Sequence, residues 1–455
     1  MSAASLTVAA PRRAGGGRRV AFEVLRDVAG GQRADESLDR RGRDLDRRDR
    51  AFAMELAYGS LRWRGRIRHH LDQLLERGLA SLSPDLVAVL ELGAYQILFM
   101  DRVPDRSAVD ESVRLAREIL PDPTAGRGAG LVNGVLRNLA RRREELPLPD
   151  PTDVAGRLAV EHSHPRWLVE RWLARLGPEA AAALLARDNR SPRLHLALHP
   201  RAGGAGTALA TLHAAGIDAA PHPAHPDAVV VGEGVRPDRL PGWSEGWFWV
   251  QDAGAQWVSA LADPPRDSRF LDACAAPGGK LLGWLAREPR SRALALDLEP
   301  RRLLRLRQNL DRLDLGRACL VAADARAVPA RHAFPLVLVD APCSGTGVLG
   351  RRPDARWRRA PEDIGRFAAF QGELLDGVAD LVAPEGVLLY ATCSLEPEEN
   401  SGVVDAFLAR RPDFRVDPAG DRVPAAHRAG PYLATRPWEA DVDGMFAARL
   451  VRRFR

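Results

Sequence analysis

From residue 17 to residue 145 the apolar positions recur at spacings of three and four, the repeat of helices that each bury one face. Val20, Val24, Leu25 and Val28 form one stripe, and Phe52, Leu56, Leu61, Ile67 and Leu71 continue it through two segments. Leu86, Leu90, Ile97 and Leu98 follow, then Val109, Val113 and Leu115, and Leu131, Val135, Leu136 and Leu139 close the set. No alternating run interrupts them, so an all-α region is expected. A charge run at 141–145 gives way to Pro147, Pro149 and Pro151, which marks a domain boundary.

Beyond the prolines the text changes. Helix-like stretches at 167–176 and 179–188 precede Leu194-His195-Leu196-Ala197-Leu198-His199, whose alternation signals a strand. A further helix at 207–215 and a short strand at 228–231 complete a small α+β module. From about 266 onward strand and helix alternate, with strands expected at 270–273, 293–296, 318–322, 336–339, 387–391 and 445–451. Such a rhythm predicts a doubly wound α/β sheet.

Composition narrows the classes. With 455 residues, 45% hydrophobic and 28% charged, the chain suits several globular domains, not a disordered tail or a disulfide-stapled miniprotein. Its four cysteines, Cys274, Cys319, Cys343 and Cys393, form no C-x-x-C pair. Neither a zinc site nor a disulfide framework is expected, and a reducing cytoplasm fits. The most apolar stretch, 86–100, contains Glu91 and Gln96 and falls short of the about 20 residues a membrane span needs. Arg12, Arg13, Arg18 and Arg19 stand in a beginning without an apolar run, so residues 1–16 read as a flexible basic lead, not a targeting signal. A net charge of +6 permits a nucleic-acid partner without requiring one.

Of the 66 basic residues only Lys280 is a lysine. A compact ammonium kept amid so many wide guanidinium forks points to a task that arginine cannot perform. The expected strand ends carry a second signal. Asp272, Asp297 and Asp340 end the first, second and fourth α/β strands, and Asp324 follows the third. Open α/β sheets bind ligands outside the carboxyl ends of their strands. One such aspartate is ordinarily a solvated loop residue or a helix cap; four at one edge suggest a ligand.

The first strand leads into Cys274-Ala275-Ala276-Pro277-Gly278-Gly279-Lys280, a Gly-rich turn opening a helix. A P-loop would need Gly at Cys274 and Ser or Thr at Leu281, and the G-x-G-x-x-G fingerprint is absent. With a carboxylate suited to ribose hydroxyls on the second strand, the turn suggests a nucleoside cofactor without phosphates. Asp340-Ala341-Pro342-Cys343-Ser344-Gly345-Thr346-Gly347 and Tyr390-Ala391-Thr392-Cys393-Ser394 each put a cysteine just past a strand. Two thiols at the ligand edge read as reactive, whereas Cys319, inside a strand, reads as inert buried packing. Arg351, Arg352, Arg356, Arg358 and Arg359 with Trp357 form a basic, aromatic stretch that suits RNA phosphates and a stacked base, or a solvated helix face. Arg301, Arg302, Arg305 and Arg307 read as solvated helix surface.

The blocks DACAAPGGK (272–280), DAPCSGTG (340–347) and YATCSLEPEEN (390–400) resemble the RNA cytosine-C5 methyltransferases that use S-adenosyl-L-methionine. The helical segment resembles a NusB-like RNA-binding domain. Their pairing, with GVLGRRPDARW (347–357), is similar to the bacterial 16S rRNA methyltransferase B (Sun) family over residues 17–453. One departure is Met445 in DVDGMFAARL (441–450), where the family leads us to expect Phe.

The resemblance implies a NusB-like domain at 17–145, a linker at 146–164, a small α+β RNA-binding module at 165–262 and a Rossmann-like methyltransferase domain at 263–455. It implies that Cys274, Ala275, Ala276, Pro277, Gly278, Gly279 and Lys280 wrap the methionine part of the cofactor. Asp297 would hold the ribose, Asp324 would approach adenine, and Asp340 would lie near both cofactor and base as a catalytic residue, supplying, if desolvated and protonated, the hydrogen bond at N3 that thiolate addition needs. Cys393 would be the nucleophile and Cys343 would assist product release, while Lys280 supports the loop or nearby carboxylates. The implied partner is 16S rRNA or a pre-ribosomal small-subunit particle, with no metal and no membrane. Two alternatives stay open: the same chemistry on tRNA, or a non-catalytic NusB-like RNA-binding factor.

Overall fold

A computed structural model describes residues 16–121, 124–232, 234–328 and 332–454. Apart from Gly16, the expected basic lead lies outside them. The chain divides into two compact units, one of Met1–Asn189 with Arg352–Arg358, the other of Arg190–Arg351 with Arg359–Arg455.

The first unit is helical among its described residues. Its helices are α1 (Gly16–Ala29), α2 (Ala34–Arg41), α3 (Arg47–Arg62), α4 (Arg64–Asp72), α5 (Pro84–Phe99), α6 (Asp105–Ile119), α7 (Ala125–Arg142), α8 (Val154–Glu161), α9 (Arg166–Leu176) and α10 (Pro178–Asp188). Local chemistry sets their starts. Asp46 caps α3 by accepting from Asp49 N at 2.8 Å, and Ser83 caps α5 ahead of Pro84, which needs no N–H partner there. The predicted stripes make one core, including Val24, Leu56, Ile67, Leu90 and Leu136. Glu91, which argues against a membrane span, is buried and paired with Arg64 (3.2 Å) and Arg68 (2.5 Å). The stretch 146–164, expected as a linker, contains α8, and the helices expected to open the α+β module, α9 and α10, pack in this first unit.

The second unit begins with a four-stranded antiparallel sheet of β1 (Leu194–Leu198), β2 (Ala219–Pro221), β3 (Ala228–Val231) and β4 (Phe248–Val250), in the order β2-β3-β1-β4, with α11 (Ala205–Ala214) alongside. After α12 (Ala253–Ala262) come β5 (Arg269–Asp272), α13 (Gly279–Arg287), β6 (Arg292–Asp297), α14 (Pro300–Arg312), β7 (Ala318–Ala322) and β8 (Phe334–Asp340). The short α15 (Ala355–Arg358) belongs to the first unit. Then follow α16 (Pro361–Ala379), β9 (Val382–Thr392), α17 (Ser401–Arg410), β10 (Phe414–Val416), β11 (Arg428–Ala429), β12 (Tyr432–Ala434) and β13 (Phe446–Arg452).

These strands form a nine-stranded sheet in the order β11-β12-β13-β9-β8-β5-β6-β7, with β10 on β13. The run from β9 to β7 is parallel and β13 is antiparallel to β9. Strand residues alternate between two cores as the pleat requires. Phe270, Leu336, Leu338 and Leu389 face α12–α14 through Val258, Leu281 and Leu306; Leu271, Val337 and Leu388 face α16 and α17 through Leu374 and Val404. The order of strands reverses between β5 and β8, which makes their carboxyl ends the topological switch point. Cys319 departs from its expectation. It sits on β7, an edge strand of the sheet, and it is exposed.

Candidate active site

Asp272 ends β5 and Asp340 ends its neighbour β8, so the switch point brings two carboxylates together. Lys280, one residue into α13, places Nζ 2.5 Å from Asp340 Oδ2. Asp272 is buried, and Cys274 N donates to its Oδ1 at 3.3 Å. Burial pushes its carboxyl up to about 8; the charge of Asp340 adds to the rise and that of Lys280 opposes it. Asp272 is therefore a neutral acid through most of the ordinary pH range. Burial likewise raises the Cys274 thiol, which packs against the core beneath the loop.

The turn between β5 and α13 depends on Gly278, whose φ is +106°. A Cβ there would also lie 2.3 Å from Leu306 Cδ1, so the site admits only glycine. Asp297, at the end of β6, fastens this turn: its Oδ2 accepts from Ala276 N at 3.3 Å and its Oδ1 from Glu299 N at 3.0 Å. Arg302 completes the cradle, with Nη1 3.2 Å from Asp297 Oδ2 and Nη2 donating to Ala276 O at 2.5 Å. That corrects its reading as solvated helix surface; four arginines on one helix hid the one that turns inward. Leu298 beside it is 67% exposed, an apolar face at the same edge. Asp324 is engaged by its own turn: Arg326 Nε donates to Oδ1 at 3.1 Å and Nη2 to Oδ2 at 2.7 Å, which holds the carboxyl below its ordinary value.

These residues fit a sulfonium nucleoside. A buried carboxyl that feels the charge of a second carboxylate, itself paired with a single ammonium, favours an added cation, and Asp297 ends the neighbouring strand where a diol would lie.

The cysteine blocks converge at the ends of β8 and β9. Cys343 Sγ and Cys393 Sγ lie 3.1 Å apart, both partly buried. The hydrogen bond with Cys393 raises the Cys343 thiol well above its usual range, burial adds to this, and the charges of Cys393 and Glu399 contribute. Behind the sulfurs, Ser344 Oγ and Ser394 Oγ are 3.1 Å apart, and Gly347 N donates to Cys393 O at 3.0 Å. Gly347 has to be glycine, because a Cβ would meet Gly444 O at 2.2 Å. Buried Glu399 and Gln371 complete this layer; Glu399 stands in the block 390–400 without a role assigned to it, and Gln371 lies outside every block.

The arginine stretch separates into two uses, and neither is a row of free phosphate ligands. In the second unit Arg351 pairs with Asp443 (2.7 Å) and Asp252 (2.9 Å), and Arg359 Nε donates to Ser344 O at 3.0 Å. In the first unit Arg356 is 1% exposed and gives its terminal nitrogens to Arg62 O, Ser163 O, Asp188 O and Asn189 Oδ1. Trp357 Nε1 donates to Leu61 O at 2.6 Å. The expectation of RNA contact is corrected for Arg351 and Arg356. Their charge is consumed by helix-terminal carbonyls and buried carboxylates, partners that only the tertiary fold supplies.

Residues 259–451 match the 16S rRNA methyltransferase RsmB/F family, residues 17–141 the NusB family, and residues 164–236 the ferredoxin-like domain of RsmF/B-like methyltransferases. The ribosomal RNA small subunit methyltransferase B of Pseudomonas putida is 38% identical over 440 residues, 96% of this chain and 98% of that protein. The crystal structure of PH0851 superposes with a TM-score of 0.79 at 23% identity, covering 96% of this chain and 98% of the other. The structure of NSun6 from Pyrococcus horikoshii with SFG covers 64% of this chain and 99% of its own, with a TM-score of 0.57 at 18% identity. The two structures establish the fold. The chain belongs to the 16S rRNA methyltransferase RsmB/F family and is, by enzyme class, an S-adenosylmethionine-dependent methyltransferase.

Proposed function

We propose that this enzyme methylates carbon 5 of a cytosine in 16S rRNA, free or in a pre-ribosomal small-subunit particle of the cytoplasm, through a covalent adduct with Cys393. The observation that carries the reading is the meeting of two thiols, 3.1 Å apart, at the carboxyl edge of the sheet. Domain roles follow the order of the chain: the helical part at 17–145 and the module at 165–262 hold RNA, and 263–455 carries the chemistry.

Carbon 5 of cytosine is not nucleophilic. A Cys393 thiolate that adds to carbon 6 makes carbon 5 enamine-like, splitting one difficult step into easier ones. The base must leave its stack to reach that sulfur. Charge builds on the ring at N3 as the sulfur adds, and the Lys280 ammonium, held by Asp340, is the donor at this edge. When bound, S-adenosyl-L-methionine supplies the electrophilic methyl group that the activated carbon takes. The 274–280 loop, Asp297 with Leu298 and, once it leaves Arg326, Asp324 hold the methionine, ribose and adenine parts. Solvent water then takes the carbon-5 proton, the electrons of that C–H bond form the C5=C6 double bond, and the carbon–sulfur bond breaks with its electron pair returning to Cys393. Cys343, kept as a thiol, donates to that departing sulfur.

The test is methyl transfer from labelled S-adenosyl-L-methionine to undermethylated 16S rRNA, with the product mapped as 5-methylcytosine. C393A should lose at least about 10³-fold in rate, as removal of a nucleophile does. C343A should accumulate a protein–RNA adduct that survives a denaturing gel. Activity retained in C393A, or a clean free-protein band for C343A, rejects this assignment of the two thiols.

A further inference from the structure

Glu399 takes no part in the steps above, yet it lies at the centre of the cysteine pair. It is 0% exposed, on the turn that follows Cys393. Its Oε2 accepts from Ser344 N at 2.8 Å and from Gln371 Nε2 at 3.0 Å, and its Oε1 accepts from Ser394 Oγ at 2.7 Å. Ser344 is the residue after Cys343, and Ser394 is the residue after Cys393. One carboxylate therefore ties together the two loops that present the sulfurs. Its own position is fixed by Tyr390, whose hydroxyl donates to Glu399 O at 2.5 Å and lies 3.0 Å from Gln371 Oε1. None of the three groups bonded to the carboxylate is positively charged. Burying a charge among neutral donors is costly, and a neutral glutamine could tie the loops at lower cost. The charge itself is thus the feature that needs a use.

We propose that Glu399 is a positioning residue for the thiol pair: its carboxylate clamps the Cys343 and Cys393 loops so that the sulfurs meet. The inference rests on the roles proposed above for the two cysteines. The groups that act on the Cys343 thiol are Cys393, Glu399 and the Tyr390 hydroxyl, and the first two oppose its ionisation. During release the carbon–sulfur bond breaks and its electrons stay on Cys393. Cys343 passes its S–H proton to that sulfur and is reprotonated from water. A Cys343 already ionised would have no proton to give and would repel the departing thiolate.

The test uses the full-length enzyme and the variants E399Q and E399A, with two readouts. The first needs no RNA: alkylation of each cysteine by iodoacetamide across pH, followed by peptide mass spectrometry. E399Q keeps the shape and removes the charge, so Cys343 should react at a pH lower by about one unit. The second is kcat and KM for methyl transfer. E399A should lower kcat about 100-fold, the effect of a small misplacement of reacting groups, with KM for S-adenosyl-L-methionine unchanged. E399Q should recover most of the geometry but release the adduct slowly. An unchanged pH profile for Cys343 in E399Q overturns the inference, as does a kcat in E399A within about twofold of the parent enzyme. Should E399A fail to fold, E399Q alone decides. A parent enzyme that transfers no methyl group would instead reject the proposed chemistry, and the alkylation profile would still decide what Glu399 does.

Discussion

In the helical unit Arg356 is buried with its two terminal nitrogens shared among four oxygens, and only Nε lacks a partner. Three of those oxygens are carbonyls at or just past the ends of α3, α8 and α10, groups that helix geometry leaves without an internal partner. At the switch point of the α/β unit, Asp272 is buried against Asp340 with a single ammonium nearby, and it meets that cost by holding its proton up to about 8. One site uses a charge to satisfy polar groups that would otherwise be orphaned. The other buries a carboxyl group beside a carboxylate, which the fold tolerates only while Asp272 keeps its proton. Satisfied charge of the first kind stabilises a structure; strained charge of the second kind marks a place where chemistry is done.

Removing Arg356 is the strongest way to break this contrast. R356M leaves several buried carbonyls unpaired, at roughly 1–3 kcal/mol each before any rehydration, so a loss of roughly 3–5 kcal/mol is expected. Denaturant unfolding measures it. Binding of S-adenosyl-L-methionine, followed by calorimetry on the folded variant, should change by less than about twofold. A variant as stable as the parent would show that the buried guanidinium is dispensable, and the comparison would fail on its structural side.

Lys280 tests the other side. K280M should lower the rate of methyl transfer about 100-fold, the effect of losing one preorganised electrostatic donor, while stability shifts by less than about 1 kcal/mol because the Asp340 side chain left behind is 35% exposed and hydrated. K280R should not rescue it, since a planar fork cannot occupy the place of a compact ammonium 2.5 Å from Asp340 Oδ2. An active K280R would mean that the only lysine among 66 basic residues is an accident of composition.

Asp272 gives a subtler effect, in pH. Its folded-state value, about 8, lies above the ordinary carboxyl value of 3.8, so between these limits the folded protein binds the proton more tightly than the unfolded chain. The stability linked to this group is fully present at low pH and is lost as pH rises through about 8. D272N cannot ionise and should lack that decline. Unfolding free energies from pH 5 to pH 9, compared between parent and variant, measure the difference; parallel curves would show that Asp272 carries no strain.

The sequence made one side of this contrast far more legible than the other. Cys393, Cys343, Asp340 and Lys280 stand in short blocks at strand ends, where local spacing and the rule for open sheets agree, so their gathering could be read before the fold was seen. The buried partners could not. Gln371 reaches Glu399 from α16, 28 residues away, and Arg356 meets carbonyls more than 160 residues earlier in the chain. An arginine is ordinarily a surface residue, and nothing within a few positions of Arg356 marks it for burial. Cys319 was misjudged for a related reason: a strand's residues show that it is a strand, but not that it lies at the edge.

Arg302 lies between the two kinds of charge. Like Arg356 it donates to a backbone carbonyl, Ala276 O, yet it also pairs with Asp297, one of the carboxylates at the ligand edge. Its side chain is 38% exposed, so water competes for it and the pair contributes little to stability. Its value lies in orientation: it holds Asp297 against the 274–280 turn, and both would contact the cofactor. R302A should therefore raise KM for S-adenosyl-L-methionine by about three- to fivefold, the weight of a half-exposed ion pair, while kcat and the unfolding midpoint stay as in the parent. A fall in kcat with KM unchanged would place Arg302 among the strained, chemical charges. A loss of stability without any change in KM would group it with Arg356.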